Sequence, residues 1–302
     1  MAIANAAGSE ETCQFPPTGS ESRTRAFLPQ PRAIRSRWFS TVVTDPLHAL
    51  GDFSLFSFIA ITGIFSGHLK GREFLRVSVE VGVSSVGVVA ITGLFIGMVL
   101  AVQAYSQFHA IGLDTSLGGV IHMSVVRELG PVLAAVMLAG RVGTAMAAQL
   151  GTMRVTEQID ALACLGVDPI KYLVAPRFLA CVLMIPLLAI LADVMGILGS
   201  TVICLEVFHI DGYHYWRHAS GFVKPFDIMV GLLKATVFGG MLALICCHRG
   251  FRSRAGAEGV GRAATEGFVL SFVAILIVDF FMALFFNTLH DLLYPAVGVR
   301  MA

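Results

Sequence analysis

RELGPVLAAVMLAGRVGTAMAAQLGTMRVTEQIDALACLGVDPIKYLVAPR, residues 127–177, is the stretch that decides the fold. An apolar run from Pro131 to Leu150 leads into a short polar segment carrying Glu157, Gln158, Asp160 and Asp168, and a second apolar run follows. Two runs of about 20 apolar residues are long enough to cross a bilayer as helices. The polar segment between them lies outside the hydrocarbon, where another protein can grip it.

The rest of the chain agrees. Of 302 residues, 56% are hydrophobic and 14% charged, against about a quarter charged in soluble domains. Long apolar runs, rather than short alternating segments, exclude a β-barrel. The class is all-α integral membrane. Spans are expected at about 81–104, 131–151, 178–204, 227–247 and 267–289, within one membrane domain of residues 46–295. Residues 52–66 are apolar but short, and Lys70, Arg72 and Arg76 follow them. A helix lying in the interface is expected over 46–78. Residues 1–45 are polar, rich in Pro, Ser and Arg, and expected to be a disordered cytoplasmic tail. Glu10, Glu11 and Glu21 argue against a transit peptide.

Lys and Arg placement sets orientation. Eight precede the first span. Arg154, Lys171 and Arg177 flank the second-to-third connection, and Arg249, Arg252, Arg254 and Arg262 the fourth-to-fifth. The N-terminus and residues 156–169 are therefore expected in the cytoplasm.

Within the polar connection, Thr156 is expected to cap a short helix with Glu157 in its first turn. Ile159, Leu162 and Leu165 would form its apolar face. Gly166 and Pro169 would stop it. Thr156, Glu157, Gln158, Asp160, Leu162, Gly166, Asp168 and Pro169 are the candidate coupling residues; an ordinary solvated connection is the alternative. Charges inside or at the edge of spans are costly and hence functional candidates: Glu80, Arg141, Asp193, Lys234 and Asp279. Arg141 is expected to pair with Asp193 or Asp279. Arg127, Glu128 and Lys234, near the outer ends of their spans, are candidates for holding a lipid headgroup, with internal ion pairing as the alternative.

Small residues recur at helical spacing: Gly93 and Gly97, then Gly140, Thr144, Ala148 and Gly143, Ala147, Gly151. They permit close backbone approach within one protomer or between two. His209, Asp211, His214 and His218 flank Tyr215 and Trp216 and read as an interfacial aromatic anchor rather than a metal site. Six cysteines without CxxC spacing read as packing residues. The glycine-rich residues 249–267 lack G-x-x-x-x-G-K-[ST], and no catalytic constellation is present. Net charge +1 gives no reason to expect nucleic acid.

In ELGPVLAAVMLAGRVGTAMAAQLGTMRVTEQIDALACLGVDPIKYLVAPR, and again in GAEGVGRAATEGFVLSFVAILIVDFF, the chain resembles the MlaE/YrbE family of ABC transporter permeases. The resemblance covers about residues 50–292. It implies an interfacial helix and five or so transmembrane helices, assembled as a homodimer. It implies a cytoplasmic ABC ATPase partner that binds ATP-Mg, this chain holding no cofactor. It implies a phospholipid at the dimer interface and an MCE-domain lipid-binding protein outside. Thr156–Leu162 would be the coupling helix. Gln149 departs from the family, where an acid is expected, as do Cys164, Arg254 and Ala255. A bacterial inner membrane is the expected location, with a plastid inner envelope as the alternative. The rival functions are an ion-coupled carrier using Asp193 and Asp279, and a membrane scaffold that transports nothing.

Overall fold

The computed structural model describes residues 45–65, 71–110, 112 and 117–293. The expected tail of residues 1–45 lies outside this set except for Asp45. The chain divides into two units after Leu50. Of the first, only the helical start Asp45–Leu50 is described.

Among the described residues every regular element is helical, and five helices are long and apolar enough to cross a membrane. α1 (Asp45–Phe65) contains the shorter apolar segment Leu50–Ile64. α2 (Gly71–Val81) is amphipathic: Glu73, Arg76 and Glu80 alternate with Leu75, Val77 and Val81. A 3₁₀ turn, Val83–Ser85, joins it to α3 (Val86–Ala110), so that Gly71–Ala110 forms the first spanning helix. The interfacial helix expected over 46–78 is thus two helices, and residues 66–70 between them lie outside the described set.

The second span begins earlier than expected. Leu117–Val155 is one helical stretch of 39 residues, about 58 Å long at 1.5 Å per residue. Arg127 and Glu128 interrupt the apolar run, which is why the sequence suggested a start at 131. They do not interrupt the helix. α4 (Leu117–Ser124) passes through a π-turn, Val125–Leu129, into α5 (Gly130–Leu138). A second π-turn, Ala139–Gly143, leads into α6 (Thr144–Val155). Each π-turn inserts one residue and rotates the following face by about 100°.

The short polar helix is α7 (Gln158–Cys164). The third span is α8 (Pro169–Val202), extended by a π-turn Ile203–Val207; it contains Pro176, which is buried, and Pro186, and membrane helices tolerate such prolines where neighbouring helices and local adjustment satisfy the freed backbone groups. α9 (Gly212–Phe222) is short. α10 (Pro225–Phe251) and α11 (Ala257–Leu293) complete the bundle.

α8 and α10 are central. α3 crosses α8 where Gly93 and Gly97 meet Ala192 and Gly196; a Cβ on Gly97 would collide with the Gly196 carbonyl. Phe238, Leu242, Ile185 and Leu138 are fully buried between α5, α8 and α10. Gly143 packs on Cys246 and Gly151 on Ser253. This second-span stripe therefore serves packing within the protomer. Cys181, Cys204, Cys246 and Cys247 are buried and free, as packing residues are; Cys164 is exposed.

Candidate functional site

Two regions at opposite ends of the bundle carry the polar residues that the sequence singled out. The first is the α6–α7–α8 connection. Thr156 does not cap α7. Its hydroxyl bonds back to the Thr152 carbonyl at 2.8 Å, closing α6 instead. Glu157 takes the N-cap position in the left-handed region, φ 59°, without a side-chain cap bond. That backbone costs about 1 kcal/mol for a non-glycine residue and produces the abrupt reversal between α6 and α7. Gly166, φ 77°, ends the segment; Asp168 then caps α8 by accepting from Ile170 N at 3.1 Å, with Pro169 in the first turn.

The apolar face is split. Ile159 is buried against the bundle and Leu162 half-buried, but Leu165 is 77% exposed and Val167 is exposed too. Arg154 reaches Asp160 at 2.5 Å and Lys171 reaches Asp168 at 3.3 Å. These exposed pairs orient the helix and add little stability. Glu157, Gln158 and Asp160 face solvent. The segment is thus anchored by Ile159 and presents carboxylates and apolar side chains outward.

The second region joins the π-turn after α4 to α10 and α11. Lys234 is fully buried; its Nζ lies 2.5 Å from Glu128 Oε2 and 2.9 Å from Asp279 Oδ1. The Glu128 contact is a hydrogen bond, whereas Asp279 Oδ1 lacks hydrogen-bond alignment and contributes charge alone. Arg127 donates to Asn287 Oδ1 at 2.5 Å and lies 3.6 Å from Asp227. Asp227 in turn accepts from the Lys224 amide at 3.0 Å, fixing the start of α10. Lys234 therefore meets Glu128 and Asp279 while Arg127 meets Asn287 and Asp227, two neighbouring sets of polar contacts that tie the π-turn to α10 and α11. A π-turn explains the geometry: it aims Arg127 and Glu128 together toward α10 and α11, which a regular helix would not do with adjacent residues.

Arg141 does not pair with Asp193 or Asp279. It sits on the second π-turn, is exposed, and donates to Ser85 Oγ at 2.6 Å. The extra residue turns it toward α2 and away from the bundle interior. Asp193 instead packs its carboxyl against the Gly130 backbone, with Oδ1 buried and unpartnered. Gln149, where an acid was expected, donates to Glu80 Oε1 at 2.9 Å; a carboxylate there would face another carboxylate.

Two features escaped the sequence reading. His122 is buried and its Nε2 lies 3.0 Å from Tyr215 Oη, tying α4 to α9. Tyr215 is fully buried rather than part of an aromatic belt, while Trp216 is exposed. Asp52 binds both His248, at 3.1 Å, and Arg252, fastening α1 to the end of α10. Neither pairing has a sequence signal, because partners 93 and about 200 residues apart share no periodicity. Among the described residues no three metal-ligating side chains converge. Arg262 and Arg249 both meet Glu266, at 2.9 and 3.4 Å.

Fold and sites together define a multi-pass helical membrane protein with a polar helix offered at one end and a buried charge network toward the other. The chain belongs to the MlaE permease family: the model of that family, Permease MlaE, matches residues 74–285. It is 43% identical over 240 residues to a probable ABC transporter permease protein of Rickettsia prowazekii, covering 79% of this chain and 93% of that one. It is 38% identical over 223 residues to the chloroplastic protein TRIGALACTOSYLDIACYLGLYCEROL 1 of Arabidopsis thaliana, covering 74% and 64%. It is 36% identical over 241 residues to the intermembrane phospholipid transport system permease protein MlaE of Haemophilus influenzae, covering 80% and 92%.

Proposed function

We propose that this chain is the permease subunit of an ABC-type phospholipid transporter. ATP-Mg hydrolysis in a cytoplasmic partner ATPase drives lipid transfer to or from an MCE-domain protein. The chain works as a homodimer in a bacterial inner membrane, N-terminus in the cytoplasm. Glu157, Gln158 and Asp160, with Leu165 and Val167, form the surface that the ATPase grips. Ile159 carries the push into α6 and α8. Arg127, Glu128 and Lys234 form the outer charged site; because Lys234 is already paired, a headgroup phosphate there displaces Glu128 rather than adding to a free cation.

The observation that carries this reading is α7 itself. Exposed Leu165 and Val167, in the turn that follows a seven-residue helix held to the bundle through Ile159, leave apolar surface that a partner would cover. Likeness to a phospholipid-system permease of Haemophilus influenzae supports the cargo.

The test is Glu157→Lys in the complex co-purified with its ATPase. Lysine meets the same left-handed backbone demand, so the fold is kept while the charge is reversed. Lipid-stimulated ATPase activity is expected to fall about tenfold with the thermal midpoint unchanged. Full coupled activity in the variant would remove α7 from the coupling role.

A further inference from the structure

A crevice opens between α2, α6 and α8, away from both regions above. Its outer bowl, about 420 Å³, is lined by Glu73, Arg76, Glu80, Thr152 and Arg177 among others. An inner cavity of about 80 Å³ continues from it past Glu80, Gln149 and Arg177 to Arg141. One water needs only about 10–15 Å³, so the inner cavity holds a group several times larger.

The cations here are poorly matched. Arg141 stands on a membrane-spanning helix, about 21 Å along the axis from Val155 at 1.5 Å per residue. Its partner is the neutral Ser85 hydroxyl. Arg177 reaches the Met146 carbonyl at 3.4 Å and the Cys247 thiol, and no carboxylate among the described residues pairs with it. No ion pair joins Arg76 to any described residue. Glu80 is held by Gln149, a neutral donor, and not by a guanidinium. An arginine at this depth needs water or an anion, and guanidinium prefers the two-oxygen face of a phosphate.

Access follows from α2. Leu75 and Val79 on α2, and Val83 in the turn after it, are exposed, as a lipid-facing surface would be, while Glu73 and Arg76 line the bowl. A headgroup can enter at α2 with its acyl chains remaining beside α2 and α3.

We propose that this crevice seats a zwitterionic phospholipid headgroup. Its phosphate lies against Arg141 and Arg177, and its amine lies toward Glu73 and Glu80. This site is separate from Arg127, Glu128 and Lys234 and belongs to the half of the molecule that bears α7. The inference rests on the phospholipid reading above and gives it a second headgroup position, the one met by lipid on the α7 side of the bilayer.

Native mass spectrometry of the delipidated full chain tests it, with phosphatidylethanolamine, phosphatidylglycerol and inorganic phosphate titrated separately. Wild type is expected to bind phosphatidylethanolamine more tightly than phosphatidylglycerol, and inorganic phosphate weakly. Arg141→Gln is expected to lose about tenfold in affinity, the size of one charge-assisted contact. Arg141→Lys should keep most of it. Ala145→Leu, which fills the inner cavity without changing charge, should lose binding as Arg141→Gln does, so the conclusion does not hang on one variant's folding. Unchanged lipid binding in both Arg141→Gln and Ala145→Leu would overturn the crevice site and leave the transporter reading standing. Equal binding of the two lipids would overturn the carboxylates' part, tight binding of inorganic phosphate alone would overturn the lipid, and loss of dimer mass with lipid retained would assign the crevice to a second copy. A wild type that binds no phospholipid would overturn the cargo reading as well.

Discussion

Lys234 is fully buried, and its charge is balanced by Glu128 and Asp279 on two other elements. Removing one partner of a buried pair costs more than the pair is worth, because the remaining charges lose solvent and partner together. Lys234→Met is therefore expected to cost about 3 kcal/mol, the low end of the usual range, since Glu128 keeps partial access to water. The double variant Lys234→Met, Asp279→Asn should recover part of that loss. Thermal unfolding in detergent measures both; a single variant as stable as wild type would mean that the network does not hold the helices together. Residues like these were partly legible in sequence. Lys234, Glu128 and Arg127 stand out because charge within an apolar run is rare. Their partners Asp227 and Asn287 do not, since nothing in a linear pattern says which helices touch. Arg141 illustrates the same limit: its charge was visible, but its partner was decided by a π-turn.

The helices themselves show why spans were readable and their faces were not. Burial in lipid demands about 20 apolar residues whatever the neighbours are, so all five spans could be placed. Facing depends on 3.6-residue periodicity, and each of the π-turns Val125–Leu129, Ala139–Gly143 and Ile203–Val207 shifts it partway along a helix. Small-residue spacing survived because it is local: Gly93 and Gly97 in α3 do meet α8, at Ala192 and Gly196. Backbones in contact leave no room for a side chain. Gly97→Leu is expected to force α3 off α8, an overpacking cost of about 1–3 kcal/mol or more. Gly87→Leu, on the same helix with open space around it, should be neutral. Comparing the two by fluorescence-detected size exclusion after heating isolates the crossing. Equal stability would mean that α3 is free to shift along α8 without loss.

At the scale of the whole molecule, polar features sort by end. Gly151 meets Ser253 and Gly63 meets Lys171, so the α6–α7–α8 connection, the α10–α11 connection and the end of α1 lie together. That end carries Arg154, Lys171, Arg177, Arg249, Arg252, Arg254 and Arg262. The opposite end holds the Arg127–Asp227 pair. Basic residues near span ends are retained on the cytoplasmic side during insertion, and the proposed grip of a cytoplasmic ATPase on α7 requires α7 to be on that side. The chain contains its own probe for that orientation. Cys164 closes α7 and is exposed, while Cys181, Cys204, Cys246 and Cys247 are buried. In a Cys13→Ser background, a membrane-impermeant maleimide is expected to label Cys164 in inside-out vesicles and to leave right-side-out vesicles unlabelled until detergent is added. Labelling of intact right-side-out vesicles would turn the bundle over. It would place α7 outside the cell, beyond reach of any ATPase, and the outward-facing Leu165 and Val167 would then belong to an external partner.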